Sequence, residues 1–305
     1  MAKQPRITDS TSGGKTDLTR RGFGRAAAVV ATAAAGLTTV GTVAAEDYEV
    51  IEAAGQTITI EDGETFENVL VDLTTGASIT IYARESTDWT IRNVGFEGRY
   101  GGDGFMLAVA DAAGGESTVE NVYLGDGTDM SGEGFVHGPG AIFLGDEHGG
   151  HIDFRNVNVQ QYTNNAFYCS NGSGTVHIDG CYAVDNGVAN YRVNSAGDRI
   201  TDSVAYASGD VPDGNYHGRG VWAWSPGEIE VEGCAFDMAG TMPDIAAGAN
   251  HQASQVVVTD TDLPENADID EANGSTVSLE SDGTDPSLEI PDGCPEDAET
   301  AALGD

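Results

Sequence analysis

Beyond residue 45 the chain has no lysine, and seven arginines stand against 48 aspartates and glutamates, a formal charge of −41. Such a surface repels phosphate, which excludes nucleic acid and anionic membrane surfaces as partners. No apolar stretch after residue 45 approaches the length of a membrane span. Aromatic residues are sparse at 7%, yet 39% of the sequence is hydrophobic, enough for a sizeable core. Mutual repulsion at this charge opposes compaction where screening is weak, so the chain is suited to concentrated salt. Dilution is expected to loosen the fold and molar salt to restore it, because the screening length falls from about 30 Å at 0.01 M to about 3 Å at 1 M. A melting temperature that stays the same across that range would contradict this.

The first 45 residues have a different character. They hold Lys3, Arg6, Lys15, Arg20, Arg21 and Arg25 but only Asp9 and Asp17 as acids. Thr19-Arg-Arg-Gly-Phe-Gly-Arg25 precedes an alanine-rich, mildly apolar run from Ala26 to Val43 that ends in small residues at Ala44-Ala45. An amphipathic helix is the competing reading, but no polar face with a 3.6-residue period interrupts the run. The paired arginines, weak apolar region and small-residue end resemble a twin-arginine export signal. That resemblance implies a removable segment 1–45, export in the folded state, a secreted or cell-surface location, and no membrane attachment after cleavage. The lysine-free, acid-rich remainder resembles the proteins of salt-loving archaea.

A short pattern recurs through the rest of the chain. Alternating apolar residues lead to Asn, Gly or Asp, and further alternating residues follow, as in Trp89-Thr-Ile91-Arg-Asn93-Val94-Gly-Phe96 and Ile152-Asp-Phe154-Arg-Asn156-Val157-Asn-Val159. Taking Ile91, Val119, Phe154, Ile178, Ile200, Val231 and Val258 as markers, the spacings are 28, 35, 24, 22, 31 and 27 residues. A constant module with variable insertions fits these intervals. The polar turn residue supplies a left-handed conformation that bends a strand without ending it. Upstream of each unit lies a second short strand, such as Phe167-Tyr-Cys169 or Tyr191-Arg-Val193. A module this flat buries its inward residues only by stacking on its neighbours. The expected fold is an all-β, right-handed, single-stranded parallel β-helix. An antiparallel sandwich is the alternative, though it gives no reason for the turn residue to recur at one phase.

In this pattern the chain resembles the pectate-lyase-like superfamily of right-handed parallel β-helices, over roughly Ile58 to Leu263. The expected division is a signal at 1–45, a β-helix domain with its entry strands at 46–263, and a loose acidic tail at 264–305, punctuated by Pro and Gly.

An exported chain permits disulfides, but Cys181 and Cys234 share one phase two modules apart, about 9.6 Å, which is too far to bridge. Cys169, Cys181 and Cys234 read as small buried residues, and Cys294 reads either as reaching back to a terminal module or as free. Asn171-Gly-Ser173 and Asn273-Gly-Ser275 match the glycosylation sequon, a pattern frequent by chance.

The superfamily resemblance implies an extracellular polysaccharide or glycan as partner. A polygalacturonase-type site needs an Asp-Asp pair and a lysine, and residues 46–305 have neither. Lyase chemistry on a uronate-type polymer needs calcium on carboxylates and an Arg or Lys base, and its short motifs are not recognisable here.

Aligning the upstream strands on Leu144, Cys169, Val193 and Trp224 places His137, Tyr162, Asn186 and His217 at one position and Phe143, Tyr168 and Arg192 at another. These sit beside Asp185, Tyr216 and Arg219. A loop simply rich in Gly, Asn and His is the competing reading. On the functional reading, Arg192 or His217 is the proton-abstracting base and Arg219 meets a substrate carboxylate. His137, Tyr162, Tyr168, Asn186 and Tyr216 bind substrate, and Asp185 holds calcium. The rival is a non-catalytic surface or glycan-binding protein. Trp222 and Trp224 alternate in phase with the core and are expected inside.

Overall fold

A computed structural model describes residues 48–129, 138–209, 218–224, 226–280 and 285–304. The expected export signal, together with His137, Tyr216 and His217, lies outside these. In the first part the strands are β1 (Glu49–Glu52), β2 (Gln56–Thr59), β3 (Thr65–Asp72), β4 (Ile79–Ala83), β5 (Thr90–Glu97), β6 (Phe105–Val109), β7 (Glu116–Leu124), β8 (Gly140–Leu144) and β9 (His151–Gln160). Next come β10 (Phe167–Cys169), β11 (Thr175–Asp179), β12 (Tyr182–Val184), β13 (Ala189–Val193), β14 (Arg199–Thr201), β15 (Val204–Tyr206) and β16 (Arg219–Ala223). The last are β17 (Glu228–Glu232), β18 (Ala235–Asp237), β19 (Ile245–Ala247), β20 (Gln255–Thr259), β21 (Ile269–Glu271) and β22 (Thr276–Glu280), followed by helix α1 (Ala298–Leu303).

The chain alternates between two sheets. One has the order β1-β3-β5-β7-β9-β11-β14-β17-β20-β22, with β12, β15 and β18 as a side branch; the other runs β2-β4-β6-β8-β10-β13-β16-β19-β21. Every pairing between these strands is parallel. The fold is therefore all-β and built on long parallel sheets, and each passage through both sheets adds one layer to a stack. No helix among the described residues is long and apolar enough to cross a membrane.

The recurring polar residue acts as the sequence pattern requires. Asn68, Asn93, Asn121, Asn156, Gly180, Asp202, Gly233 and Asp260 all have φ between 45° and 66°. Side-chain amides bridge successive layers, Asn93 Nδ2 donating to Asn68 Oδ1 at 2.8 Å and Asn121 Nδ2 to Asn93 Oδ1 at 3.0 Å. Strands β3, β5, β7 and β9 run through the bend, while from β11 onward the same bend separates two shorter strands. Between the sheets lies one core, in which Phe154 meets Phe167 edge-on at 5.6 Å and Tyr191 lies 6.2 Å from Phe236. Cys169, Cys181, Cys234 and Cys294 are all buried and free, and burial pushes the Cys181 and Cys234 thiols up to about 12.

The C-terminal part departs from the expected loose tail. Strands β21 and β22 extend both sheets past residue 263. The segment from residue 285 then returns along the outside of the thirteen-stranded sheet towards its early strands. Leu288, Ile290 and Cys294 pack with Tyr182, Val184, Val204, Tyr206 and Ala235. Asn158 Nδ2 donates to the Pro295 carbonyl at 2.8 Å, and Asn121 Nδ2 to that of Ala301 at 3.1 Å. Helix α1 is capped by Asp297 and closed by Gly304 in the left-handed conformation. It packs Ala298, Ala301 and Ala302 against Leu70 and Tyr123. Small residues at i, i+3 and i+4 give a flat helix face that fits close to a sheet.

Candidate functional site

The outer face of the nine-stranded sheet carries one side chain per layer in register. The ladder reads Thr59, Tyr82, Ala108, Phe143, Tyr168, Arg192, Trp222, Ala246 and Asp270. It contains a single carboxylate, at its far end. On a chain this acidic, such a face is the exception. The corresponding face of the other sheet carries Glu67, Asp153, Glu230 and Glu232, ion-paired with Arg92, Arg155 and Arg199.

The middle of the ladder is a stack of rings and guanidinium groups. Phe143 lies 5.1 Å from Phe105 and 5.3 Å from Tyr168 between ring centroids. Arg192 sits 4.0 Å from the Tyr168 ring centre and 3.6 Å from that of Trp224, with Trp222 at 5.2 Å. Arg219 lies 4.1 Å from the centre of the Trp222 ring. At the other end Arg84 approaches Phe143 to 5.4 Å while forming an ion pair of 2.8 Å with Glu147. A guanidinium pressed between aromatic faces is held by attraction to their negative π-clouds, worth about 2 kcal/mol when desolvated.

The rung alignment places Tyr168 directly against Arg192, as the structure has it. Other expectations require correction. Arg192 points outward from the sheet but is only 4% exposed, because rings cover it on both sides. Burial lowers its pKa to about 10, so it stays protonated at neutral pH and is a clamp for the rings rather than a free base.

Trp222 and Trp224 are outside, not in the core. Val193 pairs with Ala223, which shifts the alignment by one residue from Trp224. The inward positions of β16 are held by Val221 and Ala223, both without exposure, in a core that Tyr191 and Phe236 already occupy.

Tyr162 and Asn186 are structural. Tyr162 is 1% exposed, and its hydroxyl lies against Met106 Sδ. The Asn186 amide accepts from Tyr162 N and donates to the carbonyls of Val159 and Val184 and to Asn190 Oδ1. They lie in successive turns, after β9 and after β12, whose buried backbone groups need partners. Neither can reach a ligand on the outer face.

Asp185 is 2% exposed, adopts a φ of 56°, and accepts from both the backbone N–H and the hydroxyl of Ser208. Among the described residues, no three His, Cys, Asp or Glu side chains are grouped to hold a metal. The Asp185 carboxylate does not fit the calcium role. Arg219 is half-buried and donates weakly to the Val188 carbonyl at 3.3 Å, and burial lowers its pKa.

The sequence reading missed the two tryptophans and Phe105. The signal was present, since aromatic residues are scarce overall yet cluster at Phe105, Phe143, Tyr168, Trp222 and Trp224. No protein-family model matches the chain, and neither the curated proteins nor the solved structures gave a match.

Proposed function

We propose that the chain is a right-handed, single-stranded parallel β-helix of the pectate-lyase-like kind, exported by the twin-arginine route, whose aromatic face binds an extracellular polysaccharide. The observation that carries the reading is the ladder from Tyr82 to Ala246, free of carboxylates where the corresponding face of the other sheet is rich in them. Rings of Phe143, Tyr168, Trp222 and Trp224 suit the apolar faces of sugars, and Arg219 beside them suits a hydroxyl or carboxylate. Arg192 holds the Tyr168 and Trp224 rings in place. Cleavage of a uronate-type polymer would need His217 and Arg219 as its working groups, since Arg192 and Asp185 are already engaged. Binding without cleavage therefore has the stronger support.

The test is binding to a panel of uronate and neutral polysaccharides in molar salt. Replacing both tryptophans, Trp222→Ala with Trp224→Ala, is expected to weaken binding about 10-fold or more, the equivalent of ~1.4 kcal/mol. Glu230→Ala, on the opposite face, should leave it unchanged. Undiminished binding by the double variant would end the assignment of this face. Unsaturated products accumulating in the same incubations would favour the lyase reading instead.

A further inference from the structure

We infer that the chain stacks end to end with further copies of itself in concentrated salt. Strands β1 and β22 are the end members of one sheet, and β2 and β21 those of the other. All the strands are parallel, and hydrogen bonds in a parallel sheet are evenly spaced. A second copy displaced along the stack therefore presents β1 and β2 in the direction needed to continue β22 and β21.

The exposed apolar side chains fall at these two ends. Three large hydrophobic residues are exposed among the described residues, and two of them are Leu279 on β22, at 48%, and Val50 on β1, at 51%, the latter on the outer face beside Leu70. Leu279 pairs with Val258 and so has the inward phase, which among the described residues leaves the core open at its last layer. Ile51 pairs with Val71 and has the inward phase at the first layer. Laying β1 of a second copy beside β22 at about 4.8 Å puts Ile51 over Leu279, the terminal Glu49 over Val277, Val50 beside Ser278 and Glu52 beside Glu280.

The last of these pairs sets the condition. Two like charges on adjacent strands oppose pairing, as charged side chains do on other exposed sheet edges. At about 1 M salt the screening length is about 3 Å, shorter than the strand spacing, and the repulsion fades while apolar burial persists. One end of the stack meets the opposite end, so the contact does not close and the series is open-ended.

Light scattering on the eluting chain measures this directly, with circular dichroism to verify folding. The unaltered chain is expected to run as a single copy at about 0.15 M salt and as a series of multiples at about 1 M, where screening falls from about 8 Å to about 3 Å. Leu279→Glu should abolish the multiples, and Glu52→Arg, facing Glu280, should bring them on already at the lower salt. The double tryptophan variant should associate like the unaltered chain, which separates this contact from the aromatic face. A single-copy mass at about 1 M salt, a mass that stops at two copies, or association that survives Leu279→Glu would overturn the inference.

Discussion

Phe154→Asp is expected to leave the chain unfolded at room temperature even in molar salt. Phe154 has no solvent exposure, lies between Val119 and Ile178 on the adjoining strands, and meets Phe167 edge-on at 5.6 Å. Removing a buried phenylalanine side chain costs about 3–5 kcal/mol. An unpaired carboxylate in its place adds several kcal/mol. Together these reach the whole stability of a typical domain, about 5–15 kcal/mol. Glu120 lies one residue from Phe154's partner Val119, on the outer face between Arg92 and Arg155. Glu120→Ala should change stability by no more than about 0.5 kcal/mol. Chemical denaturation of both variants decides the matter, and equal losses would mean that the inward and outward phases are misassigned.

Gly95→Ala should cost about 2–3 kcal/mol, a large effect for one methyl group on a strand. A Cβ at Gly95 would come within 1.8 Å of the Ala298 carbonyl oxygen, so α1 sits directly on the bare backbone there. The helix must lift, uncovering Leu70, Tyr123 and its own alanines. In a chain ending at Glu280 the same substitution should cost nothing, or stabilise by up to about 1 kcal/mol through the loss of glycine's freedom in the unfolded state. An equal loss in both backgrounds would place the strain within the sheet.

Much of the layered architecture was legible because its signals are local. Period-two alternation fixes which side chains face inward, and a polar residue at one phase marks the bend, as Asn93, Asn121 and Asn156 do. The phase failed at Trp222-Ala-Trp224, where size suggested core. Whether a tryptophan goes inside depends on the space left by Tyr191 and Phe236, which come from other layers. Polar side chains were ambiguous for a related reason. Tyr168 and Arg192 pointed outward as the alternation requires, but that rings cover Arg192 depends on Trp224, which was aligned one residue out of place. Asn186 and Asp185 look like ligands in a list of residues, yet each accepts from a backbone N–H of a neighbouring layer, that of Tyr162 and that of Ser208. The acidic C-terminal stretch hid a docking helix because its apolar face is made of three alanines, which carry little hydrophobic signal.

The returning C-terminal segment changes how the molecule comes apart. A stack of layers that touch only their neighbours behaves as a one-dimensional chain of coupled units, able to fray from either end while the remainder holds. The segment leaves the stack after β22, touches β15 and β18 through Leu288 and Ile290, and ends on β3, β5 and β7. Its docking is available only when early and late layers are formed together. Fraying that reaches β3 to β7 from one end, or β15 and β18 from the other, gives up those contacts, so opening from the two ends is coupled. A chain ending at Glu280 loses that coupling, and its thermal transition should broaden or divide in two, with the end layers exchanging amide hydrogens well before the middle ones.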